Sequence, residues 1–588
     1  MPACPSPSRR LHLSLAAFGS IAAAVWAQAP QSSLEIPAPT IRVSTHMVLV
    51  DVVVTDKQGK PVPGLHPEDF VLEENGKPQK IATFTLPGEN TRANTAPLPP
   101  GIYSNRSQYR SSGGPATVML LDALNTPFSD QAYARRQMLR FVQEQYKAGQ
   151  RMGIFTLTGP LNVLQDFTAD PQILYAALQR FTPQQQQFPN SDRPQTSVNT
   201  STAATGGASS ITTAAALDAS TAPLTDSSGA LGPQVAQMVA SLQQQLQSFE
   251  GAQVAYAEDQ RAILTLNALK SITRILGGLP GRKNIIWVTG NLPFSLVPEN
   301  RTVSDAELGE DLPSLTTRRL GEHAAGNYAA TFREAHADEI REVGARMASA
   351  QIAVYPVDAR GLSISTASDA QETMRDMARE TGGRAYVNQN EIKIGIERAF
   401  ADESAAYTVG YYPENKKWDG KYRQIKVKVK RDGVEVQNRR GYYALDPAQM
   451  KGYNPQQDVA SALGDVVPAT LVAFTARVVP PSANTAVKGK IGVDFLVDAS
   501  TLSTEDTSGG KRLNFAYFAT VYSPQGKMLT EQSKKADQAF DPSTYQQIVQ
   551  HGILLHLDLD PQPGNNQLRL AVQDGRTGLV GTINAPAP

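Results

Sequence analysis

The sequence predicts a multidomain protein of mixed α/β and all-β class, in which one mostly parallel sheet with helices on both faces stands between β-sandwich units. Three observations predict it. Between residues 116 and 400, apolar runs of strand length alternate with amphipathic helices, the pattern of a sheet buried on both faces. Before and after that segment, short runs alternate apolar and polar residues between Gly, Asn and Asp turns, the pattern of antiparallel strands. The 588 residues are enough for about three or four domains, each able to bury its own core.

The chain opens with Arg9 and Arg10 ahead of an apolar run from Leu11 to Trp26, with Val25 and Ala27 at the spacing of a signal-peptidase site. Residues 1–27 therefore read as a secretory signal cleaved after Ala27, with a membrane anchor that stays attached as the alternative, because the run is shorter than the roughly 20 residues a membrane span requires. A leader over 28–40 follows. Residues 41–86 form a small β unit: Val48, Val50, Val52 and Val54 share one strand face, and turns at Asp56–Gly59 and Glu74–Lys77 separate the later strands. Residues 87–115 are polar and rich in Pro, Ser and Gly, and read as a linker.

The α/β domain, 116–400, begins with the apolar run Thr117–Leu121 and a helix burying Ala134, Met138, Phe141, Val142 and Tyr146, with Ser129 placed as its N-cap. Gly153–Leu157 and Val163–Phe167 are strands, Ile173–Leu178 is a short helix, and a long helix follows with Ala262, Leu266, Leu269, Ile272 and Leu276 on one face. Strands Ile285–Thr289, Ile352–Val357 and Arg384–Val387 alternate with helices Glu339–Met347, Glu372–Glu380 and Ile392–Phe400. Two insertions interrupt the domain: 182–232, too poor in apolar residues to build a core and expected to be disordered, and the loop 291–330. Val235, Val239, Leu242, Leu246 and Phe249 recur at a 3.5-residue spacing over only two heptads, for which folding back on the parent domain and contact with a partner helix both remain open.

Residues 404–443 return to strands, with a hairpin turn at Arg431–Gly433. This unit and 41–86 are each small for independent stability. One hypothesis is that they form a single sandwich into which the α/β domain is inserted. After a linker over 444–465, residues 466–588 read as a C-terminal β-sandwich of about seven strands.

Composition narrows the function. The 55 basic and 55 acidic residues balance, which argues against a nucleic-acid partner. The single cysteine, Cys4, falls in the signal segment, so neither a disulfide nor a thiol site is expected, and removal of the signal leaves no membrane span. The seven histidines are scattered, with no H-E-x-x-H and no G-x-S-x-G elbow. The glycine run 277–283 lies between a helix and a strand, the reverse of a phosphate loop. Lys426, Lys428 and Lys430 form a basic strand face, with Arg439 and Arg440 nearby; a solvated face explains them, with an acidic partner as the alternative. Asp558 and Asp560 share a strand face, where alternation and a calcium pair are competing explanations.

In an open α/β sheet, ligands bind outside the carboxyl ends of the strands. Those ends carry Asp122-Ala123-Leu124-Asn125-Thr126, Asp166-Phe167-Thr168-Ala169-Asp170, Thr289-Gly290-Asn291 and Asp358-Ala359-Arg360-Gly361. Carboxylates mixed with hydroxyls are what a hard cation such as magnesium takes as ligands.

The segments Leu120–Asp130, Gln165–Asp170, Gly278–Lys283, Val354–Leu362, Gly410–Asn415 and Val50–Val62 together resemble a group of exported bacterial proteins, best known from acidobacteria, that is related to the von Willebrand factor type A domain. The resemblance covers roughly residues 41–443. It implies a von Willebrand factor A-like, Rossmann-like sheet and a metal-ion-dependent adhesion site, in which Asp122 matches the first acid, Thr126 the second hydroxyl and Thr168 the threonine of a later loop. The ion would be Mg2+, or Mn2+ or Ca2+. The motif is degenerate: Leu124 stands where the first serine belongs, and Thr289-Gly290-Asn291 stands where T-D-G is usual, so the second acid is missing. Asn125, Asn291 and Asp166 are the residues expected to compensate or to meet a partner. The alternative is that Asp122 hydrogen-bonds neighbouring loops in a metal-free version of the fold. The expected function is a non-catalytic, exported binding protein of the periplasm, cell envelope or exterior that docks a protein or other macromolecule, with adhesion as the family theme. A metal-free structural or assembly component of the envelope is the alternative, and a metal-assisted hydrolase a lesser one.

Overall fold

The computed structural model describes residues 47–87, 97–109, 116–146, 150–185, 233–294, 296, 336–361, 368–388, 392–446, 455–484, 487–507 and 509–588. The signal and leader segments lie outside the described residues, as does most of each expected insertion.

In chain order the strands and helices are β1 (Val48–Asp56), β2 (Phe70–Glu74), β3 (Lys77–Gln79), β4 (Ile81–Thr85), β5 (Ile102–Ser104), β6 (Ala116–Asp122), α1 (Phe128–Glu144), β7 (Arg151–Leu157), β8 (Leu161–Thr168), α2 (Pro171–Arg180), α3 (Pro233–Leu276), β9 (Lys283–Thr289), α4 (Ala337–Ser349), β10 (Ile352–Asp358), α5 (Ser368–Thr381) and α6 (Ile392–Ser404). They continue with β11 (Ala406–Tyr411), β12 (Tyr422–Val429), β13 (Val434–Asn438), β14 (Gly441–Tyr443), α7 (Pro455–Gly464), β15 (Phe474–Val479), β16 (Ile491–Val497), β17 (Thr504–Thr507), β18 (Gly510–Tyr522), β19 (Met528–Phe540), α8 (Pro542–His551), β20 (Ile553–Leu559), β21 (Gln567–Asp574) and β22 (Val580–Pro586).

The two β units flanking the α/β domain interleave. One sheet runs β13-β1-β11-β4 and the other β14-β12-β2-β3, so each sheet holds strands from both ends of the inserted domain, alternating in the first and joined at the β12–β2 pair in the second. The valine face of β1 is the reason: Val48, Val50, Val52 and Val54 are buried against Tyr407, Val409, Ile425 and Val427, none of which the N-terminal unit supplies alone. The opposite face of β1 is buried too. There Asp51 accepts hydrogen bonds from Gln351 Nε2 (2.9 Å) and Thr408 Oγ1 (2.7 Å).

The inserted domain has a five-stranded sheet in the order β10-β9-β6-β7-β8, parallel except for β8, which runs antiparallel to β7. The residues of β6 alternate between two cores, Val118 and Leu120 facing α3 and α4, Met119 and Leu121 facing α1, α2 and α6. The strand expected at 384–387 is reduced to a single parallel bridge, Val357↔Tyr386. Ser129 is not the cap of α1; the helix starts at Phe128 after Pro127, and Ser129 Oγ donates to Asp130 instead.

The C-terminal sandwich pairs a sheet β20-β16-β15-β5 with one running β18-β21-β22, in which β17 and β19 also pair with β18. Two expected linkers are therefore structured in part. Residues 102–104, placed in the linker, are strand β5; the buried Asn105 beside it donates to the carbonyls of Ala469 (3.0 Å) and Val472 (2.8 Å) and accepts from Phe474 N (2.9 Å). The 444–465 linker contains α7, whose Val459, Ala462 and Leu463 pack on Ala571 and Val580.

Both sandwiches dock at the amino end of the parallel sheet. Thr470 N donates to Arg274 O, and Gly278 N to Thr470 Oγ1, both at 2.9 Å, just past the end of α3. A Cβ on Gly278 would lie 1.8 Å from Thr470 O, so the glycine pair that ends α3 permits this close approach. On the other side, the buried Arg439 donates to Ala348 O and Leu49 O, and Arg384 to Gln437 Oε1. Arg439 is thus an internal clamp, not part of a solvated basic face.

Candidate functional site

At the carboxyl ends of β6, β9 and β10, the acid expected to begin a metal site is enclosed. Asp122 is 2% exposed. Its Oδ1 accepts from Asn125 N (2.9 Å) and Asn125 Nδ2 (3.2 Å); its Oδ2 accepts from Asn125 Nδ2 (2.9 Å), Trp287 Nε1 (3.0 Å) and Thr289 Oγ1 (2.9 Å). Burial raises the Asp122 carboxyl above its ordinary value, against the lowering effect of the hydrogen bonds from Asn125, Trp287 and Thr289. No face of the carboxylate is left for a cation without displacing one of these donors.

The remaining residues of the motif follow the same logic. Thr126 is buried and its Oγ1 accepts from Gly290 N (2.8 Å), tying the β6 loop to the β9 loop. Asn125 is buried as well, donating also to Thr265 Oγ1 on α3 (3.2 Å). It holds the strut and is not placed to touch a partner. Asn291 is half-buried at the same end of the sheet, its N donating to Thr289 Oγ1 (3.2 Å).

Thr168 and Asp166 are not brought to this site. Because β8 is antiparallel, Thr168 lies opposite Met152, whose neighbour in β6 is Thr117, the second residue of that strand. Five residues separate Thr117 from Asp122, placing Thr168 about 16 Å away along the strand direction. There Thr168 Oγ1 accepts from Asp170 N (3.1 Å), in the turn that opens α2. Asp166 is exposed on β8 and accepts from Phe167 N. A sequence signal for this was available: parallel strands need a crossover of a dozen or more residues, and the short connection between β7 and β8 permits only an antiparallel hairpin.

The donor set therefore does not fit the implied metal. Of three expected ligands, one is at the far end of the sheet, one is occupied by a backbone N–H, and the carboxylate is surrounded by donors. Leu124, where a serine hydroxyl belongs, is buried in the apolar core. Among the described residues, no group of three His, Cys, Asp or Glu side chains converges as a metal site.

Beside the Asp358–Arg360 strand end, residues that the sequence did not single out build the crevice. Gln131 on α1 is buried and donates to Ala123 O (3.1 Å) and Thr126 O (2.8 Å), fixing the β6 loop from below. Asp358, at the end of β10, accepts a paired contact from Arg360 (Nε 2.9 Å, Nη2 3.0 Å). Asp130 lies near this pair: its carboxyl is raised by burial, lowered by Ser129 and Arg360, and raised by Asp358. Phe128, the first residue of α1, is 46% exposed.

No protein-family model matches the chain, and no curated protein matches it. Similar solved structures include an aerotolerance-related membrane protein from Bacteroides fragilis, 12% identical over 49% of this chain and 98% of that one, with a TM-score of 0.22. BatB from Bacteroides thetaiotaomicron is 12% identical over 50% and 99%, TM-score 0.22. A von Willebrand factor type A structure from Catenulispora acidiphila is 8% identical over 93% and 74%, TM-score 0.22. At these scores the likenesses bear on neither activity nor ligand. Among the described residues, no helix is long and apolar enough to cross a membrane.

Proposed function

We propose that this protein is an exported, non-catalytic binding protein that docks a protein or other macromolecule on the carboxyl-end loops of a von Willebrand factor A-like domain, and that it does so without a metal ion. The observation that carries this reading is the division of the α/β domain into two ends. The amino end is covered by both sandwiches, through Gly278, Thr470 and Arg439. The carboxyl end presents Phe128, with half-buried Asn291 in the neighbouring loop and the Asp358–Arg360 pair and Asp130 beside it. An exposed aromatic ring beside charges held in fixed geometry is the make-up of a binding hot spot. The rigidity that a bound ion would give these loops is supplied instead by the hydrogen bonds to Asp122.

The test is capture from envelope extract by the immobilised full chain, compared with Phe128→Glu, each with and without chelator. Phe128 is exposed, so the substitution leaves the core intact. The expected result is capture lost in the variant and unchanged by chelation. Capture that survives Phe128→Glu moves the binding surface elsewhere, and capture abolished by chelator restores the metal.

A further inference from the structure

The C-terminal sandwich closes one of its sheets with β19. This strand pairs with β18 along one side, from Lys511↔Phe540 to Tyr522↔Met528. Among the described residues no strand pairs with its other side, and no backbone hydrogen bond leaves it in that direction. Nearly the whole strand is solvent-facing, Met528 at 55% and Leu529 at 38% exposure. An unpaired row of N–H and C=O groups of this length is a template for another strand. Natural edges are usually shortened, charged, broken by proline or twisted away by a bulge; β19 is charged, but with both signs, Glu531 and Asp537 beside Lys534 and Lys535. Here there is no proline, and the register shift falls only at the turn end, between Val521 and Tyr522.

We propose that the free edge of β19 is a self-association surface, on which a second copy of this chain pairs its own β19 antiparallel about a two-fold axis through Ser533. Charge complementarity favours a second copy as the occupant and a register centred on Ser533. In an antiparallel pair, opposite residues must both direct their backbone groups across the join, so only registers centred on a residue are allowed for two identical strands. Centred on Ser533, Glu531 of each copy faces Lys535 of the other, Gln532 faces Lys534, and Thr530 faces Ala536. No like charges are opposed, and Leu529 lies diagonal to Ala539 of the other copy, within reach for apolar contact. Moving the centre to Lys534 sets that lysine against itself and Glu531 against Asp537. Moving it to Gln532 sets Lys535 against Leu529 and Lys534 against Thr530 and leaves as its opposite-charge pair only Asp537 with Lys527, beyond the strand; moving it to Ala536 sets Lys535 against Asp537, which Arg512 already holds (2.6 and 2.8 Å). The result is a single sheet running from β22 through β21, β18 and β19 into its symmetry mate.

The experiment is sedimentation of the purified full chain across a concentration series, with Glu531→Lys and Lys535→Glu variants alone and mixed. Each substitution converts both symmetric attractions into repulsions, which raises the dissociation constant about thirtyfold. The equimolar mixture restores opposite charges at both positions in the heterodimer, and its mass should double at concentrations where each variant alone is monomeric. Both residues are on an exposed strand, and circular dichroism checks that the variants keep the fold. A parent that stays monomeric throughout, single variants that associate as well as the parent, or a mixture that stays monomeric would each overturn the proposal.

Discussion

Replacing Asp122 by alanine separates a structural strut from a metal ligand. The substitution leaves three donor groups without their acceptor, Asn125 N, one N–H of Asn125 Nδ2 and Trp287 Nε1, while Thr289 Oγ1 keeps Asn291 O (2.6 Å). A buried donor left unsatisfied costs about 1–3 kcal/mol, and a water entering the space recovers part of this, so removing one member of such a buried charged network costs about 3–5 kcal/mol. For a domain of this size each kcal/mol moves the midpoint by about 2–4 °C, so the α/β domain should melt roughly 10 °C earlier. Thermal unfolding followed by tryptophan fluorescence is a direct assay, because Trp287 is a donor in the network. Magnesium should shift neither protein. A magnesium site at a hundredfold excess over its dissociation constant would add about 2.7 kcal/mol to the parent alone. A variant melting within about 2 °C of the parent, or a magnesium-dependent rise seen in the parent and absent from the variant, refutes the strut.

Two further predictions concern the C-terminal sandwich. Gly278→Ala places a Cβ 1.8 Å from Thr470 O, and should destabilise the chain by about 1–3 kcal/mol and expose the segment around residues 465–471 to limited proteolysis. Gly464→Ala, which meets nothing within 4 Å, is the control and should behave like the parent. His556 on β20 sits between Asp494 (Nδ1 to Oδ1, 2.7 Å) and Asp558 (Nε2 to Oδ2, 3.2 Å), with Arg477 also on Asp494 and Lys534 on His556 O. The hydrogen bond to Asp494 leads in raising the His556 pKa above its ordinary 6.5. Its stabilisation is therefore whole below pH 6.5 and is lost as pH rises through the raised value. The difference in urea stability between the parent and His556→Gln should shrink across that interval; a difference that stays flat or grows contradicts the pairing.

Much of the architecture was legible in particular residues. The four valines of β1 called for partners on one face, and the apolar runs at Thr117–Leu121 and Ile285–Thr289 called for a sheet covered on both faces. What was not legible has identifiable causes. Residues 102–104 are too short a run to stand out from a polar segment, and become a strand because β15 offers an edge and Asn105 anchors the turn beside it. The exposed β19, MLTEQSKKADQAF, lacks clear alternation because neither of its faces is fully buried.

The sequence by itself determined where chain is buried, since periodicity records which side chains leave water: the run of strands and helices in the α/β domain and the candidate loops follow from it, while its insertion into one sandwich was only one hypothesis. Only the tertiary structure decided how those loops are held. Asp122 is satisfied by Trp287, Thr289 and, through Asn125, by Thr265, residues more than a hundred positions away that reach it because β9 and α3 lie beside β6. Thr168 is removed from the same site by the sense of one strand. Burial is a property of single side chains and local period; hydrogen-bond satisfaction and strand direction are properties of pairs, and exist only once the sheet is assembled.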